Sequence, residues 1–404
     1  MTPQRRFLFV VPPLAGHVNP TLGLGQALAA RGHDVAWTGS ELFLRPLLGP
    51  DAAVYPTGSR LLREQGESGF EAVRSLWEDF IVPYARFTSK AVQRAIADYR
   101  PDLVIVDEHT PAGALAAQRH ALPWATLATS SMEIGRPFAD QPEVEQWMLD
   151  KLRALWSWAG LDPEAFTDPR ASPHLVLALT SPALTGTADY PEHFRLVGPI
   201  LGARPPGPPF PWDALDGRRR VLVTMGTLAA DLSVDFHRRV LDALDALSEH
   251  VQGILVASPD ATPEKTPGNV LIVPRAPTLE LLGRDALDAV VCHAGLNTVT
   301  ETLANRVPLV LAPIRHDQPV TAAQVVAAGA GIRVDFWDAD PQTLRQAIES
   351  VLDDPGPRAA ADRIAKQFLA DGGAHTAAAC LEELVEGATP SRTDIPTESK
   401  GDLG

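Results

Sequence analysis

Arg6-Phe-Leu-Phe-Val-Val11 is a short run of almost entirely apolar residues that ends at two prolines. Such a run is typical of a strand that is buried on both faces of a sheet. Apolar residues then recur at helical spacing over Pro20 to Arg31, and Gly32 predicts the end of that helix. Asp34 to Trp37 predicts a second strand. A strand, a helix and a strand in this order predict a parallel sheet with helices packed on its faces.

The same alternation recurs along the rest of the chain. Leu103 to Val106 and Trp124 to Leu127 predict strands on either side of a helix at Pro111 to His120. Residues 198–211 interrupt the pattern with six prolines and three glycines, which predict a stiff, extended linker. Beyond it, strands are predicted at Val221 to Met225, Ile254 to Ala257, Val270 to Val273, Ala289 to Cys292 and Pro308 to Ala312. We therefore predict two doubly wound α/β domains with a ligand cleft between them.

Composition excludes several classes of protein. Of the 404 residues, 45% are hydrophobic and 21% are charged, values typical of soluble globular proteins. The net charge of −15 argues against nucleic acid as a partner, because an acidic surface repels phosphate. Two cysteines, Cys292 and Cys380, are too few for a disulfide framework. No apolar run approaches the roughly 20 residues that span a bilayer, so we expect a cytoplasmic protein without a transmembrane segment.

The most informative stretch is Cys292-His-Ala-Gly-Leu-Asn-Thr-Val-Thr-Glu301. A predicted strand ends there, Gly295 permits a tight turn, and a helix begins near Asn297. The free amides at a helix N-terminus attract an anion such as a diphosphate. Side-chain donors beside these amides come from His293, Asn297 and Thr298, and Glu301 could accept from ribose hydroxyls one turn later. The alternative is an ordinary capped helix with a core histidine.

Two further segments follow predicted strands, where open α/β sheets bind ligands: Arg275-Ala-Pro277 and His316-Asp-Gln-Pro319. Together with residues 292–301, they resemble the donor-binding signature of the family 1 glycosyltransferases, and Arg275 to Gln318 has the length of that signature. The sequence is most similar to bacterial antibiotic, macrolide and carotenoid (zeaxanthin) glucosyltransferases. The resemblance implies a GT-B fold of two Rossmann-like domains. It also implies inverting, metal-independent transfer of a hexose from a UDP- or dTDP-sugar to a hydroxyl of an apolar or aromatic natural product.

The resemblance also implies roles for individual residues in the second half. The nucleotide and diphosphate would be bound by Gly226, Thr227, Arg275, Ala276, His293, Gly295, Asn297, Thr298 and Glu301, and the donor sugar by Asp317 and Gln318. A plain strand-to-loop turn is the alternative for Gly226 and Thr227. Arg275 stands where the family usually has an aromatic residue, and Thr278 where glutamine is common. These two differences leave uridine and thymidine both open as the donor base.

A candidate general base lies in the first half, in the segment Pro12-Pro-Leu-Ala-Gly-His-Val-Asn-Pro20, which we expect to be a loop. A histidine can remove a hydroxyl proton near neutral pH. The resemblance assigns this role to His17 and places Asp107 as the carboxylate that orients it. Glu108 and His109 are adjacent, so the register of the partner could shift by one. The alternatives are that His17 caps the following helix and that Asp107 begins the next one.

Aromatic and apolar residues in two segments indicate where an acceptor could bind. By the resemblance, the acceptor pocket would contain Trp77, Phe80, Met132 and Phe138, although residues of this kind more often belong to the core. Asp338-Ala-Asp340 has the spacing by which other glycosyltransferases hold manganese or magnesium. Because it directly precedes a predicted helix, we interpret it as a helix cap and expect no metal site.

These expectations divide the chain into four segments. Residues 1–200 would bind the acceptor, 201–216 form the linker, 217–387 bind the nucleotide sugar and end in a C-terminal helix, and 388–404 form a disordered tail. The expected partners are a nucleotide sugar and a small-molecule acceptor, with the protein a monomer or homodimer. Two other functions fit this architecture: a sugar-nucleotide 2-epimerase and a non-catalytic protein that activates a partner glycosyltransferase.

Overall fold

The computed structural model describes residues 3–60, 67, 69–135, 138–186, 189–202, 204–226, 232–262 and 265–388. In the first half the elements are β1 Arg6–Val10, α1 Ala15–Ala30, β2 Asp34–Gly39, α2 Glu41–Leu48, β3 Ala53–Pro56, α3 Gly69–Ser75, α4 Val82–Tyr99, β4 Leu103–Asp107, α5 Pro111–Arg119, β5 Trp124–Ala128, α6 Met132–Gly135, α7 Pro142–Trp158, β6 Val176–Ala178, α8 Pro182–Thr185 and β7 Phe194–Leu196. A π-helical turn at Leu76–Ile81 joins α3 to α4, and Pro163–Ala165 forms a 3-10 turn.

The second half repeats the alternation. Its elements are β8 Arg219–Thr224, α9 Val234–Asp245, β9 Val251–Val256, β10 Val270–Val273, α10 Thr278–Gly283, β11 Ala289–Cys292, α11 Leu296–Ala304, β12 Leu309–Leu311, α12 Gln318–Ala327, β13 Gly331–Arg333, α13 Pro341–Asp353, α14 Pro355–Asp371 and α15 Ala374–Ala388. Short 3-10 turns lie at Trp212–Ala214 and Pro259–Ala261.

All described strand pairs are parallel, and they form two sheets. The first has seven strands in the order β3-β2-β1-β4-β5-β6-β7, and the second has six in the order β10-β9-β8-β11-β12-β13. In β1, Phe7, Leu8 and Phe9 are fully buried, which confirms a strand covered on both faces. The strand order reverses direction between β1 and β4, and again between β8 and β11. Open sheets bind ligands at such points, beyond the carboxyl ends of the strands.

The first helix begins earlier than the sequence predicts. We expected it to start at Pro20, where apolar residues at helical spacing begin, and we interpreted the segment before it as a loop. The structure starts α1 at Ala15 and keeps Pro20 inside it. His17 therefore lies in the first turn of a helix and not in a loop. Proline is tolerated here although it lacks the N–H that would bond to the carbonyl of Gly16, four residues earlier.

The last helix packs on the first half of the chain. We assigned it by sequence to the segment 217–387, but Ala377, Leu381 and Val385 of α15 lie in the same buried cluster as Phe7. Gly372 and Gly373, both with positive φ, turn the chain before this helix, and the Gly373 N–H donates to the carbonyl of Val197 at 2.7 Å. These contacts carry the chain back across the boundary between the two sheets.

Polar contacts reinforce this docking of α15. The Glu382 carboxylate accepts from Arg31 Nη1 at 2.7 Å and lies 2.8 Å from His33 Nε2. The predicted tail at 388–404 lies outside the described residues apart from Ala388, which ends α15. Within the described ranges, no helix is both long enough and apolar enough to cross a membrane.

Candidate active site

Three neighbouring strands of the first sheet bring polar side chains together at their carboxyl ends. His17 follows β1, Asp107 ends β4 and Thr129 follows β5. His17 Nδ1 lies 3.0 and 2.9 Å from the two Asp107 carboxylate oxygens. Thr129 Oγ1 donates to Asp107 Oδ2 at 2.9 Å and lies 2.7 Å from His17 Nδ1. Because Asp107 engages Nδ1, Nε2 is the nitrogen of His17 that can accept a proton.

The surroundings of His17 favour its protonated form. Burial alone would lower the pKa of His17, but the negative charges of Asp107, Glu108 and Asp317 together outweigh burial and raise it. His109 behaves in the opposite way, because burial and the nearby His17 and His316 hold its pKa well below the ordinary value. The His17 and His109 rings lie 4.4 Å apart between centroids. His17 therefore gains a proton more readily than an ordinary histidine, whereas His109 stays neutral.

The neighbouring strands β8, β11 and β12 of the second sheet bring together several of the predicted donor-binding residues. Gly226 follows β8, and a Cβ at this position would lie 2.8 Å from the His293 ring. A Cβ at Gly295 would lie 2.5 Å from His293 Nε2. The His293 ring thus lies between two glycines, and a side chain at either position would clash with the ring. Thr227, the next predicted residue of this group, lies outside the described residues.

Helix α11 starts where the sequence predicts an anion site, with Gly295 as its N-cap. Thr298 lies half-buried in the first turn of this helix. The Asn297 side chain makes a different contact from the predicted one: its Nδ2 donates to the carbonyl oxygen of Gly16 at 2.5 Å. Further along the helix, buried Glu301 forms an ion pair with Arg204 of the linker. Burial raises the pKa of Glu301, and the opposing charge of Arg204 works to lower it.

Asp317 and Gln318 lie at the start of α12, after β12. Burial raises the pKa of Asp317, whose carboxylate also accepts from the backbone N–H of Ser131 in the first half. Gln318 Oε1 accepts from the backbone N–H groups of Ile314 and Arg315 at 2.9 and 3.0 Å, so its carbonyl side holds its own loop. Its amide nitrogen remains the group that could donate to a sugar hydroxyl.

Positive φ angles, which residues other than glycine rarely adopt, occur in the β11–α11 loop and in the β12–α12 loop. Ala294 has a φ of 65°, and His316 has a φ of 56°. Non-glycine residues in this region are uncommon and strained, and they concentrate at functional sites. Each of them lies between the end of a strand and the start of the helix that follows it, β11–α11 in one case and β12–α12 in the other.

The remaining predicted residues occupy more varied places. Arg275 is exposed after β10, and Ala276 is half-buried against the core of the second half. Trp77 and Phe80 are buried in the core of the first half, and Phe138 packs against that core. Half-buried Met132 begins α6, three residues after Thr129, and is therefore the predicted acceptor residue nearest in sequence to the polar cluster.

The described residues contain one group whose atoms are spaced closely enough to hold a metal ion, made of His17, Asp107 and His109. In this group the Asp107 carboxylate already accepts from the backbone N–H of His109 at 2.9 Å and contacts His17. Asp340 Oδ1 accepts from the Thr343 N–H at 2.7 Å, which confirms that the Asp338-Ala-Asp340 segment caps α13.

Sequence reasoning missed three residues of the site and weighed Glu108 only as an alternative partner of His17. Thr129 contacts both Asp107 and Glu108, Ser131 contacts Asp317, and Arg204 pairs with Glu301. Thr129 and Ser131 follow a strand that was predicted, so its carboxyl end was a signal that could have found them. Arg204 lies in the proline-rich linker, where no periodic pattern indicates which way a side chain points.

Comparison with known proteins finds similarity to glycosyltransferases. The family described as UDP-glucoronosyl and UDP-glucosyl transferase matches residues 212–365. The 4'-demethylrebeccamycin synthase of Lentzea aerocolonigenes is 27% identical, over 94% of this chain and 99% of that protein. The zeaxanthin glucosyltransferase of Pseudescherichia vulneris is 26% identical, over 95% of this chain and 98% of that protein.

A solved structure gives the fold a counterpart. CalG4, the calicheamicin glycosyltransferase, superposes with a TM-score of 0.75 at 24% identity, covering 96% of this chain and 100% of that one. Its likeness concerns the arrangement of the two parallel sheets, which in this chain have seven and six strands. The sequence matches and this likeness agree: the chain is a glycosyltransferase with the GT-B fold, and its residues 212–365 are similar to the UDP-glucoronosyl and UDP-glucosyl transferase family.

Proposed function

We propose that this chain transfers a hexose from a UDP- or dTDP-sugar to a hydroxyl group of an apolar or aromatic natural product, with inversion at the anomeric carbon. The observation that carries the proposal is the buried contact of Asp107 with His17 Nδ1 at 2.9 Å. This contact orients the imidazole and stabilises the imidazolium that forms when His17 takes a proton. The relatives named for rebeccamycin and zeaxanthin support the choice of acceptor class.

In the proposed reaction, His17 Nε2 takes the proton of the acceptor hydroxyl as its oxygen attacks the anomeric carbon. The bond between that carbon and the nucleoside diphosphate breaks on the opposite face. The start of α11 and His293 stabilise the charge that develops on the departing diphosphate. Asp317 is close enough to interact electrostatically with His17, which supports a sugar site between the two halves of the chain.

The proposal assigns the other residues by where they lie. The diphosphate is bound beside Gly226 and Gly295, which have no side chain, and Thr298 donates to it. Glu301 accepts from a ribose hydroxyl. Asp317 and Gln318 bind the sugar hydroxyls, and Met132 contributes to the acceptor pocket. Transfer proceeds without a metal ion, since the helix terminus and His293 offset the diphosphate charge.

The test is a panel of UDP- and dTDP-sugars with polycyclic acceptors, with products identified by mass spectrometry and anomeric configuration by NMR. Transfer with inversion is expected, and His17→Ala should reduce it by roughly 10²–10⁴-fold, the usual contribution of a positioned base. Conversion of a nucleotide sugar without acceptor would indicate an epimerase instead. Full activity of a folded His17→Ala variant would refute the assignment of the base.

A further inference from the structure

The hydrogen bond between Asn297 and Gly16 joins the two halves of the chain at a sensitive point. Gly16 lies in the first turn of α1 and Asn297 in the first turn of α11, and the distance from Nδ2 to the carbonyl oxygen is 2.5 Å. The carbonyl of Gly16 belongs to the peptide bond that leads into His17. A donor on this oxygen therefore holds the plane of the peptide to which the His17 Cα is attached.

The accepting carbonyl is available because of Pro20. In an α-helix, the carbonyl of residue 16 would accept from the N–H of residue 20, and proline has none. Pro20 lies inside α1, so the carbonyl of Gly16 lacks this usual donor. Asn297 supplies a donor from the other half of the chain. Such groups need a partner when they are removed from water, so the contact replaces a helix bond with a bond between domains.

Gly16 permits the close approach of the amide. A Cβ added at Gly16 would lie 3.2 Å from Asn297 Nδ2, closer than most real contacts of this kind. Even alanine at this position would press on the amide. The three residues act on the same carbonyl group. Pro20 lacks the N–H that would bond to it, Gly16 leaves space beside it, and Asn297 donates to it in place of the missing N–H.

A second contact between the halves involves Ser131. Ser131 Oγ lies 2.8 Å from Thr321 Oγ1 of α12, and both side chains are buried. Asn297 differs from this pair because it acts on the backbone next to the base itself. Its helix, α11, also carries the predicted diphosphate site at its start.

We propose that Asn297 is a positioning residue that couples the donor-binding helix to the orientation of His17, with Pro20 keeping the Gly16 carbonyl open for it. The inference rests on the proposed role of His17 as the base. It departs from the role implied by the family resemblance, in which Asn297 binds the diphosphate. A misplaced base slows transfer without weakening the binding of the nucleotide, because the backbone amides at the start of α11, which would bind the diphosphate, remain in place.

Steady-state kinetics and calorimetry separate the two roles. In Asn297→Ala, kcat should fall by roughly ten- to a hundredfold, the range expected when a reacting group is misplaced by up to about 1 Å. The Kd of UDP or dTDP alone should stay within about twofold of the parent, since a pure positioning contact gives no uniform binding energy. An unchanged kcat, or a Kd that rises in proportion to the loss of kcat, would overturn the proposal.

A matched control lies at the other end of the same helix. Asn305 Nδ2 donates to the carbonyl of Glu301 at 2.8 Å, so Asn305→Ala removes a similar bond that does not join the halves. It should leave kcat close to the parent value. Gly16→Ala disturbs the same contact from the side of α1. It should lower kcat without weakening the binding of the nucleotide. A Gly16→Ala variant with parent kcat would contradict the coupling.

Hydrogen–deuterium exchange tests the contact without any turnover. Amides in the peptide covering residues 14–19 should exchange faster in Asn297→Ala than in the parent or in Asn305→Ala, because the start of α1 is less restrained. Unchanged exchange in that peptide would overturn the proposal. If the parent shows no transfer with any donor and acceptor, the proposed function fails, and the exchange measurement still decides whether Asn297 holds α1.

Discussion

Replacing Asp107 with asparagine tests the most buried part of the site. Asp107 is 1% exposed, and its two oxygens lie 3.0 and 2.9 Å from His17 Nδ1. It also accepts from the backbone N–H of His109 and from Thr129 Oγ1, both at 2.9 Å. Asparagine has the same shape and keeps one oxygen for these donors. The substitution therefore removes the negative charge while disturbing the packing little.

The expected loss follows from the distance between the charges. When His17 takes the acceptor proton, its positive charge lies about 4 Å from the centre of the carboxylate, where unit charges interact by about 4 kcal/mol at an effective dielectric constant of 20. At about 1.4 kcal/mol for each factor of ten, this predicts a fall in kcat of about a thousandfold. At pH values above the pKa of His17, where the resting base is neutral, the loss should fall on kcat, because the positive charge then develops only as the proton is transferred.

The assay is product formation at saturating donor and acceptor, measured for the parent and for Asp107→Asn. Asp102→Asn is the matched control, since Asp102 lies just before the opposite end of β4, where its carboxylate accepts from the Arg6 N–H at 2.7 Å. The control should keep nearly full activity. If folded Asp107→Asn retains more than a tenth of the parent kcat, the carboxylate does not stabilise a charged His17, and the mechanism is wrong.

Three further predictions concern charge, donor binding and metal. Because Glu108 helps to raise the pKa of His17 and the base must be neutral to act, Glu108→Gln should move the acidic limb of the profile of kcat/KM against pH to lower pH; an unmoved limb would contradict this. Calorimetry with the nucleoside diphosphate should show weaker binding for His293→Ala, whereas Asp317→Ala should change mainly the discrimination between donor sugars; equal weakening would refute the division of subsites. Excess chelator should leave transfer unchanged, and a loss that magnesium or manganese restores would show that a metal takes part.

The sequence predicted well those parts of the fold that depend on local periodicity. The apolar run of β1 was readable because a strand covered on both faces needs no polar residue. Polar residues directly after such strands, such as Asp107 and His293, could then be assigned to one edge of a sheet. The start of α1 was predicted wrongly at Pro20, because the apolar spacing that was used to find the helix begins only there, whereas the helix itself begins at Ala15 and contains Pro20.

Contacts between distant segments could not be predicted in this way. The ion pair of Arg204 with Glu301 joins the proline-rich linker to α11. No sequence pattern in either segment indicates that the two are in contact. The same holds for Asn297, whose amide was expected to face a diphosphate and in the structure donates to the Gly16 carbonyl. Side chains of this kind have several partners within reach, and only the packed structure selects one.

The docking of α15 has a consequence for synthesis of the chain on the ribosome. Phe7 leaves the ribosome long before Leu381 and Val385, which share its buried cluster. Domains usually fold in the order of synthesis, at roughly 5–20 residues per second. Here the first sheet keeps part of its apolar surface uncovered until translation has passed Ala388. Helix α15 thus covers a domain that is made before it, and truncation before Ala374 would leave apolar residues of the first sheet exposed although they are still present.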